Sequence, residues 1–125
     1  MRSNKRLHKL SIAELVEQFL TMALEQDDVL LKGRPISVYS RLFHQMNAIA
    51  QELKSRAGDQ RIALLPLLDI DNPQVKLMAA SELMQVAPKP ARKVLEDLKQ
   101  TNIFPHSANA SMLLKELDGG LHSSD

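Results

Sequence analysis

Apolar residues recur every three or four positions in the N-terminal half of the chain, a spacing that predicts amphipathic α-helices. Over residues 11–31 the apolar stripe comprises Ile12, Leu15, Val16, Phe19, Met22, Ala23 and Leu30. Over residues 36–56 it comprises Val38, Tyr39, Leu42, Phe43, Met46, Ile49, Ala50 and Leu53. Ser11 and Glu14 have the spacing of a capping box, and Gly33 interrupts the pattern. The sequence therefore predicts two helices joined by a short turn.

A polar break at residues 69–73, Asp-Ile-Asp-Asn-Pro, separates a leucine-rich segment from an alanine-rich one. Asn72 can cap a new helix through its side-chain oxygen, and Pro73 suits the first helical position because its missing N–H is not needed there. Pro66 lies within the preceding segment, residues 61–68, and is predicted to shorten or kink it. The two segments are therefore predicted to form a helical hairpin.

Two more helices are predicted after Pro88, over residues 89–101 and 108–118. The inward residues of the last helix are predicted to be Met112, Leu113, Leu114 and Leu117. Gly119 and Gly120 are predicted to end that helix, because glycine adopts the left-handed cap conformation freely.

Sequential hairpins without a convincing strand predict an all-α fold, a stack of about six antiparallel helices. A single domain is expected over residues 11–120. Residues 1–10 are expected to be a flexible basic tail, and residues 121–125 a disordered one.

Composition narrows the classes of chemistry. The chain has no cysteine, which excludes disulfides, thiolate metal sites and cysteine catalysis. The N-terminus lacks the uninterrupted apolar segment of a signal peptide, and no apolar run approaches the ~20 residues that cross a bilayer. A cytoplasmic location without membrane binding is therefore expected.

No catalytic constellation is recognisable. The four histidines are His8, His44, His106 and His122, and none has a partner at metal-ligand spacing. The serines lie in no Gly-x-Ser-x-Gly elbow, and no glycine-rich phosphate loop occurs. The sequence predicts a protein that is not an enzyme and has no cofactor, no metal and no small-molecule substrate.

Five acids and no base occur between positions 14 and 28 of the first predicted helix. They are Glu14, Glu17, Glu25, Asp27 and Asp28. All but Asp27 fall near one helical face, opposite the apolar stripe. This face has two interpretations, a solubilising outer surface or a patch that attracts a basic protein partner.

The segment LLDIDNPQVKLMAASEL, residues 67–83, resembles a HEAT repeat. A wider pattern resembles a small bacterial HEAT-like family, most members of which have no assigned function. It consists of SIAELVEQF (11–19), FHQMNAIAQELK (43–54), LLPLLDIDNPQVKLMAA (64–80) and NIFPHSANASMLLKELDGG (102–120). The resemblance implies a HEAT/armadillo-like, right-handed arrangement of the helices. Some proteins similar to this family are immunity proteins of contact-dependent growth inhibition toxin systems.

The function expected from this resemblance is stoichiometric protein binding. The chain would neutralise one cognate secreted toxin domain, expected to be a nuclease, by occluding its active site. Two alternatives remain open, a general protein-interaction scaffold and, ranked below it, a nucleic-acid-binding protein. The latter would use the basic cluster of Lys89, Arg92, Lys93 and Lys99.

Overall fold

Helices form every regular element in residues 6–123, the range that this computed structural model describes; side chains are described for residues 6–119. The α-helices are α1 (Ile12–Lys32), α2 (Ile36–Ser55), α3 (Pro73–Leu83), α4 (Pro88–Gln100) and α5 (His106–Ser123). A 3-10 helix covers Gln60–Asp69, and residues 6–123 contain no strand. The predicted all-α class is confirmed, whereas the right-handed HEAT-like stack stays a prediction.

The chain forms two compact units, an N-terminal unit of residues 1–64 and a C-terminal unit of residues 65–125. In the N-terminal unit, α1 packs against α2. The predicted capping box is present, because the Glu14 N–H donates to Ser11 Oγ (3.0 Å) and the Ser11 N–H donates to Glu14 Oε1 (2.8 Å). Gly33 follows α1 with a φ of 63°, the left-handed conformation that makes glycine the favoured residue there.

Aliphatic side chains and the ring of Phe19 form most of the core of the N-terminal unit. Leu15, Phe19, Ile49 and Leu53 are each 0–1% exposed, as the apolar stripes predict. Phe43 is the exception, because it was expected to point inward but is 46% exposed. The spacing of apolar residues does not decide whether the Phe43 ring is buried, because a position at the edge of a stripe faces either solvent or the core.

Residues 6–10 are held against the N-terminal unit. Leu7 is buried, and Arg56 Nη2 donates to the carbonyl oxygens of Leu7 (3.1 Å) and Leu10 (2.8 Å). Residues 6–10 of the expected flexible tail are thus held by contacts with Arg56, and residues 1–5 lie outside the described part of the chain.

A buried carboxylate holds the arginine in place. Glu52, which is 8% exposed, accepts a hydrogen bond from Arg56 Nε at 2.7 Å through Oε2. The other carboxylate oxygen lies 3.2 Å from Nδ1 of His8. Glu52 and Arg56 together thus connect α2 to the N-terminal segment, a long-range link that local sequence periodicity does not encode.

The segment before the polar break is a 3-10 helix rather than an α-helix. Pro66 lies inside it, at a position where it has no N–H to donate and would clash with the preceding turn of an α-helix. Pro66 was predicted to shorten or kink an α-helix, and the structure has a 3-10 helix at this place instead.

In the C-terminal unit, α4 packs against both α3 and α5, and α3 also contacts α5. Asn72 caps α3 as predicted, because its Oδ1 accepts from the N–H groups of Gln74 (2.9 Å) and Val75 (3.1 Å). Ala79 and Ala80 are fully buried, and their small side chains allow close approach of the neighbouring helices.

The last helix is longer than predicted at both ends. It begins at His106, in the expected loop, and continues through Gly119 and Gly120 to Ser123. Glycine permits a left-handed cap but does not impose one, so a glycine pair can remain helical at a cost in conformational entropy. Residues 121–123 of the expected disordered tail are thus part of this helix, and residues 124–125 lie outside the described part.

Candidate functional site

The predicted acidic residues lie on α1 as an exposed row with one outlier. Glu14, Glu17 and Glu25 are exposed, and Asp28 is half-buried on the same side of the helix. Asp27 is also half-buried, but its position places it away from that row. Together, Glu14, Glu17, Glu25 and Asp28 form the acidic face of α1.

Two members of the acidic face already have partners within the chain. Glu14 is part of the capping box. Asp28 lies 3.1 Å from Nζ of Lys32 and 3.2 Å from Nη1 of Arg34. The hydrogen bond from Lys32, followed by attraction to both cations, lowers the pKa of the Asp28 carboxyl. The negative charge available to a partner is therefore concentrated at Glu17 and Glu25.

The lowered pKa of Asp28 predicts a specific pH dependence of stability. Because the folded-state pKa is below the unfolded value of about 3.9, ionised Asp28 stabilises the fold above about pH 4, and this contribution disappears as the pH falls through the folded-state pKa. The urea midpoint of Asp28→Asn should therefore be lower than that of the wild type at pH 6, and the gap should close with acidification. Glu25→Gln is the matched control for loss of one negative charge, and a gap that widens below pH 4 would contradict the assignment.

Exposed leucines accompany the acidic face. Leu24 is 43% exposed and Leu31 is 79% exposed. Together with Glu17 they are spaced seven residues apart, which places all three along one line of α1. This line was not predicted from the sequence, where the available signal was leucine at two positions outside the buried stripe.

The C-terminal unit contains a separate cleft of about 290 Å³. It is lined by Asp71, Pro73, Lys76, Val94, Asp97, Leu98, Thr101, Ile103 and His106. The acids Asp71 and Asp97 are exposed, whereas Leu98 and His106 are buried. The cleft thus combines apolar walls with carboxylates that solvent can reach.

Polar contacts within the C-terminal unit fix two of the lining side chains. His106 Nε2 lies 3.0 Å from the Gln74 side-chain oxygen, which can only accept, so this nitrogen is the donor. Lys76 Nζ donates to the carbonyl oxygen of Leu68 at 2.6 Å. The ammonium group of Lys76 is therefore held by a backbone carbonyl near the end of the 3-10 helix.

The apolar edge of the cleft extends into solvent. Ile103 is 62% exposed, and the adjacent Phe104 is 82% exposed. Thr101 supports this edge, because its hydroxyl donates to the Leu98 carbonyl (2.7 Å) and accepts from the Ile103 N–H (3.2 Å). Two large apolar side chains are thus presented to solvent by a hydrogen-bonded turn.

Comparison with known proteins identifies the family. A family described as a domain of unknown function, DUF2019, matches residues 13–118. The chain belongs to the DUF2019 family. It is also similar to the crystal structure of the protein RPA1889 from Rhodopseudomonas palustris CGA009, with 46% sequence identity and a TM-score of 0.87 over 91% of this chain and 93% of that one. No curated protein matches the chain.

These comparisons establish a family and an all-helical relative. Neither comparison indicates an activity, so the resemblance to immunity proteins stays a prediction. Within the described residues of this DUF2019 protein, no helix is both long and apolar enough to cross a membrane.

The histidines of the DUF2019 chain occupy three different environments. His8 contacts Glu52, His44 stacks edge-on with Phe43 at a centroid distance of 5.9 Å, and His106 is buried in the C-terminal unit. The side chain of His122 lies outside the described part. Among the described residues, no group of three or more histidine, aspartate or glutamate side chains could hold a metal ion.

The basic cluster of α4 is partly neutralised by nearby acids. Arg92 forms an ion pair with Asp118, which raises the pKa of the guanidinium, and also lies 3.8 Å from Glu96. Lys93 lies 3.7 Å from Asp97. Two of the four positive charges of this cluster are therefore already paired with acids of the same chain. Nucleic-acid binding stays an alternative prediction.

Proposed function

We propose that this DUF2019 protein is a non-enzymatic protein-binding module that neutralises one cognate secreted toxin domain, expected to be a nuclease. In this proposal the helices form the right-handed HEAT-like stack expected from the sequence, and the bound chain covers the active cleft of the toxin. The observation that carries the proposal is the line of Glu17, Leu24 and Leu31 on α1, where exposed leucines lie beside available carboxylates.

This arrangement has the composition of a recognition surface. Protein interfaces combine apolar anchors, which supply much of the binding energy, with a polar rim. Leu24 and Leu31 would act as anchors, because covering them removes apolar area from water. Glu17 and Glu25 would attract a partner that is basic because its own substrate is an anionic nucleic acid.

The proposal is tested first by finding the partner. The tagged protein is purified from its native cell, and the co-purifying proteins are identified by mass spectrometry. One stoichiometric partner with a toxin domain is the expected result. Several substoichiometric partners would favour the scaffold alternative, and retained DNA or RNA that is released by salt would favour the nucleic-acid alternative.

Charge reversal on α1 should slow association with that partner. Steering by surface charge raises on-rates by about 10- to 1000-fold at low ionic strength. Glu17→Lys/Glu25→Lys is expected to lower the association rate at least about tenfold in low salt, with a smaller effect in high salt. Stopped-flow mixing measures both.

Asp69→Lys/Glu116→Lys is the matched control, because it makes the same charge change at two exposed acids outside α1. Equal association rates for the two double variants would remove α1 from the binding surface. Leu24→Ser/Leu31→Ser separates steering from anchoring, since it should accelerate dissociation and leave the association rate nearly unchanged.

A further inference from the structure

We propose that the cleft of the C-terminal unit is a second protein-docking site, which accepts a lysine or arginine side chain while an apolar residue of the same partner segment covers Phe104. This cleft is a different site from the α1 surface of the proposed function, and the two share no residue.

The cleft is large enough for one long side chain. Its volume of about 290 Å³ is at the lower end of the roughly 300–1,000 Å³ that ligand pockets span. Val94, Leu98 and Ile103 provide apolar walls. Such walls suit the methylene stem of a long cationic side chain, whose charged end remains among polar groups.

The charges of the cleft select the sign of the inserted group. Asp71 and Asp97 contribute two exposed carboxylates to the lining, and Lys76 contributes one ammonium, which donates to the Leu68 carbonyl oxygen and keeps its charge, so carboxylates outnumber ammonium groups in the lining. Lys93 contacts Asp97 only at 3.7 Å, with both side chains largely exposed. An exposed pair of this kind contributes little, so an incoming guanidinium can replace it. An anionic group would meet two like charges.

The exposed edge shows why the occupant is a chain segment and not an isolated amine. Ile103 lines the cleft, and Phe104, the next residue along the chain, is 82% exposed. A peptide that places a leucine two positions from an arginine can cover Phe104 and fill the cleft together. A partner lacking the apolar residue would use only half of this surface.

The test uses the full chain, isotopically labelled, and the probe peptide acetyl-Leu-Ser-Arg-Ser-amide. Titration followed by NMR should shift the amide signals of residues 71–76 and 97–104. A peptide with citrulline, the neutral isostere of arginine, should bind at least about fivefold more weakly. Asp71→Asn/Asp97→Asn should abolish that difference, and Phe104→Ser should weaken both peptides.

Glu17→Gln/Glu25→Gln is the control, and it should leave the peptide titration unchanged because neither residue lines the cleft. The titration therefore tests the cleft independently of the toxin proposal. Equal binding of the arginine and citrulline peptides would overturn the proposal, as would unshifted cleft amides at millimolar peptide. The proposal would also be overturned if the protein dimerised with increasing concentration and Phe104→Ser removed that dimerisation. In that case the surface would bind a second copy of the chain.

Discussion

Phe19→Ala is expected to lower the free energy of unfolding by about 3–5 kcal/mol. Phe19 is 1% exposed on α1, which packs against α2, and few other rings are available to the N-terminal unit. Truncation removes the transfer free energy of the ring and leaves a cavity that the surrounding aliphatic residues fill only in part. Urea denaturation followed by circular dichroism measures the loss.

Phe43→Ala makes the same chemical change at a site that is 46% exposed on α2. It should cost less than half as much, because its ring is already in contact with water and leaves no enclosed cavity. Similar losses for the two variants would show that Phe19 is not the central packing residue of the N-terminal unit.

Arg56→Met is expected to cost about 3 kcal/mol, the lower end of the range for removing one partner of a buried ion pair. The change leaves the 8%-exposed Glu52 without its 2.7 Å hydrogen bond, and it removes the donor to the carbonyls of Leu7 and Leu10. Hydrogen exchange at residues 7–10 should accelerate together with the loss in the urea midpoint, since both depend on the same guanidinium.

Arg41→Met is the matched control, because Arg41 is an exposed arginine on α2, the helix that Arg56 directly follows. It should change the midpoint little. The double variant Glu52→Met/Arg56→Met should be more stable than Arg56→Met alone, since it leaves no buried charge. A double variant that is less stable by the sum of both single losses would show that the two residues act independently.

The features that sequence analysis predicted correctly depend on neighbours close in the chain. The Ser11–Glu14 capping box, the Asn72 cap and the end of α1 at Gly33 each require residues within about one helical turn. The buried stripe of α1 follows from period alone. Local chemistry therefore predicted where most helices begin and end.

The features that were missed depend on residues far apart in the chain. The buried His106 donates a hydrogen bond to Gln74, 32 positions away in the chain. The cleft likewise forms only when α3, α4 and the turn before α5 come together. Met112 was expected inside but is 60% exposed, since an apolar residue at the edge of a stripe is not placed by period. A local sequence pattern does not indicate which distant residues contact each other.

The exposure of Phe104 also offers an optical probe. The chain contains no tryptophan and one tyrosine, so Phe104→Trp would make a single selectively excitable indole at the edge of the cleft. At 82% exposure, that position tolerates a larger ring without repacking of the core. Its emission would report solvent contact at this one place, and a blue shift on mixing with a candidate protein would locate the contact without any isotope label.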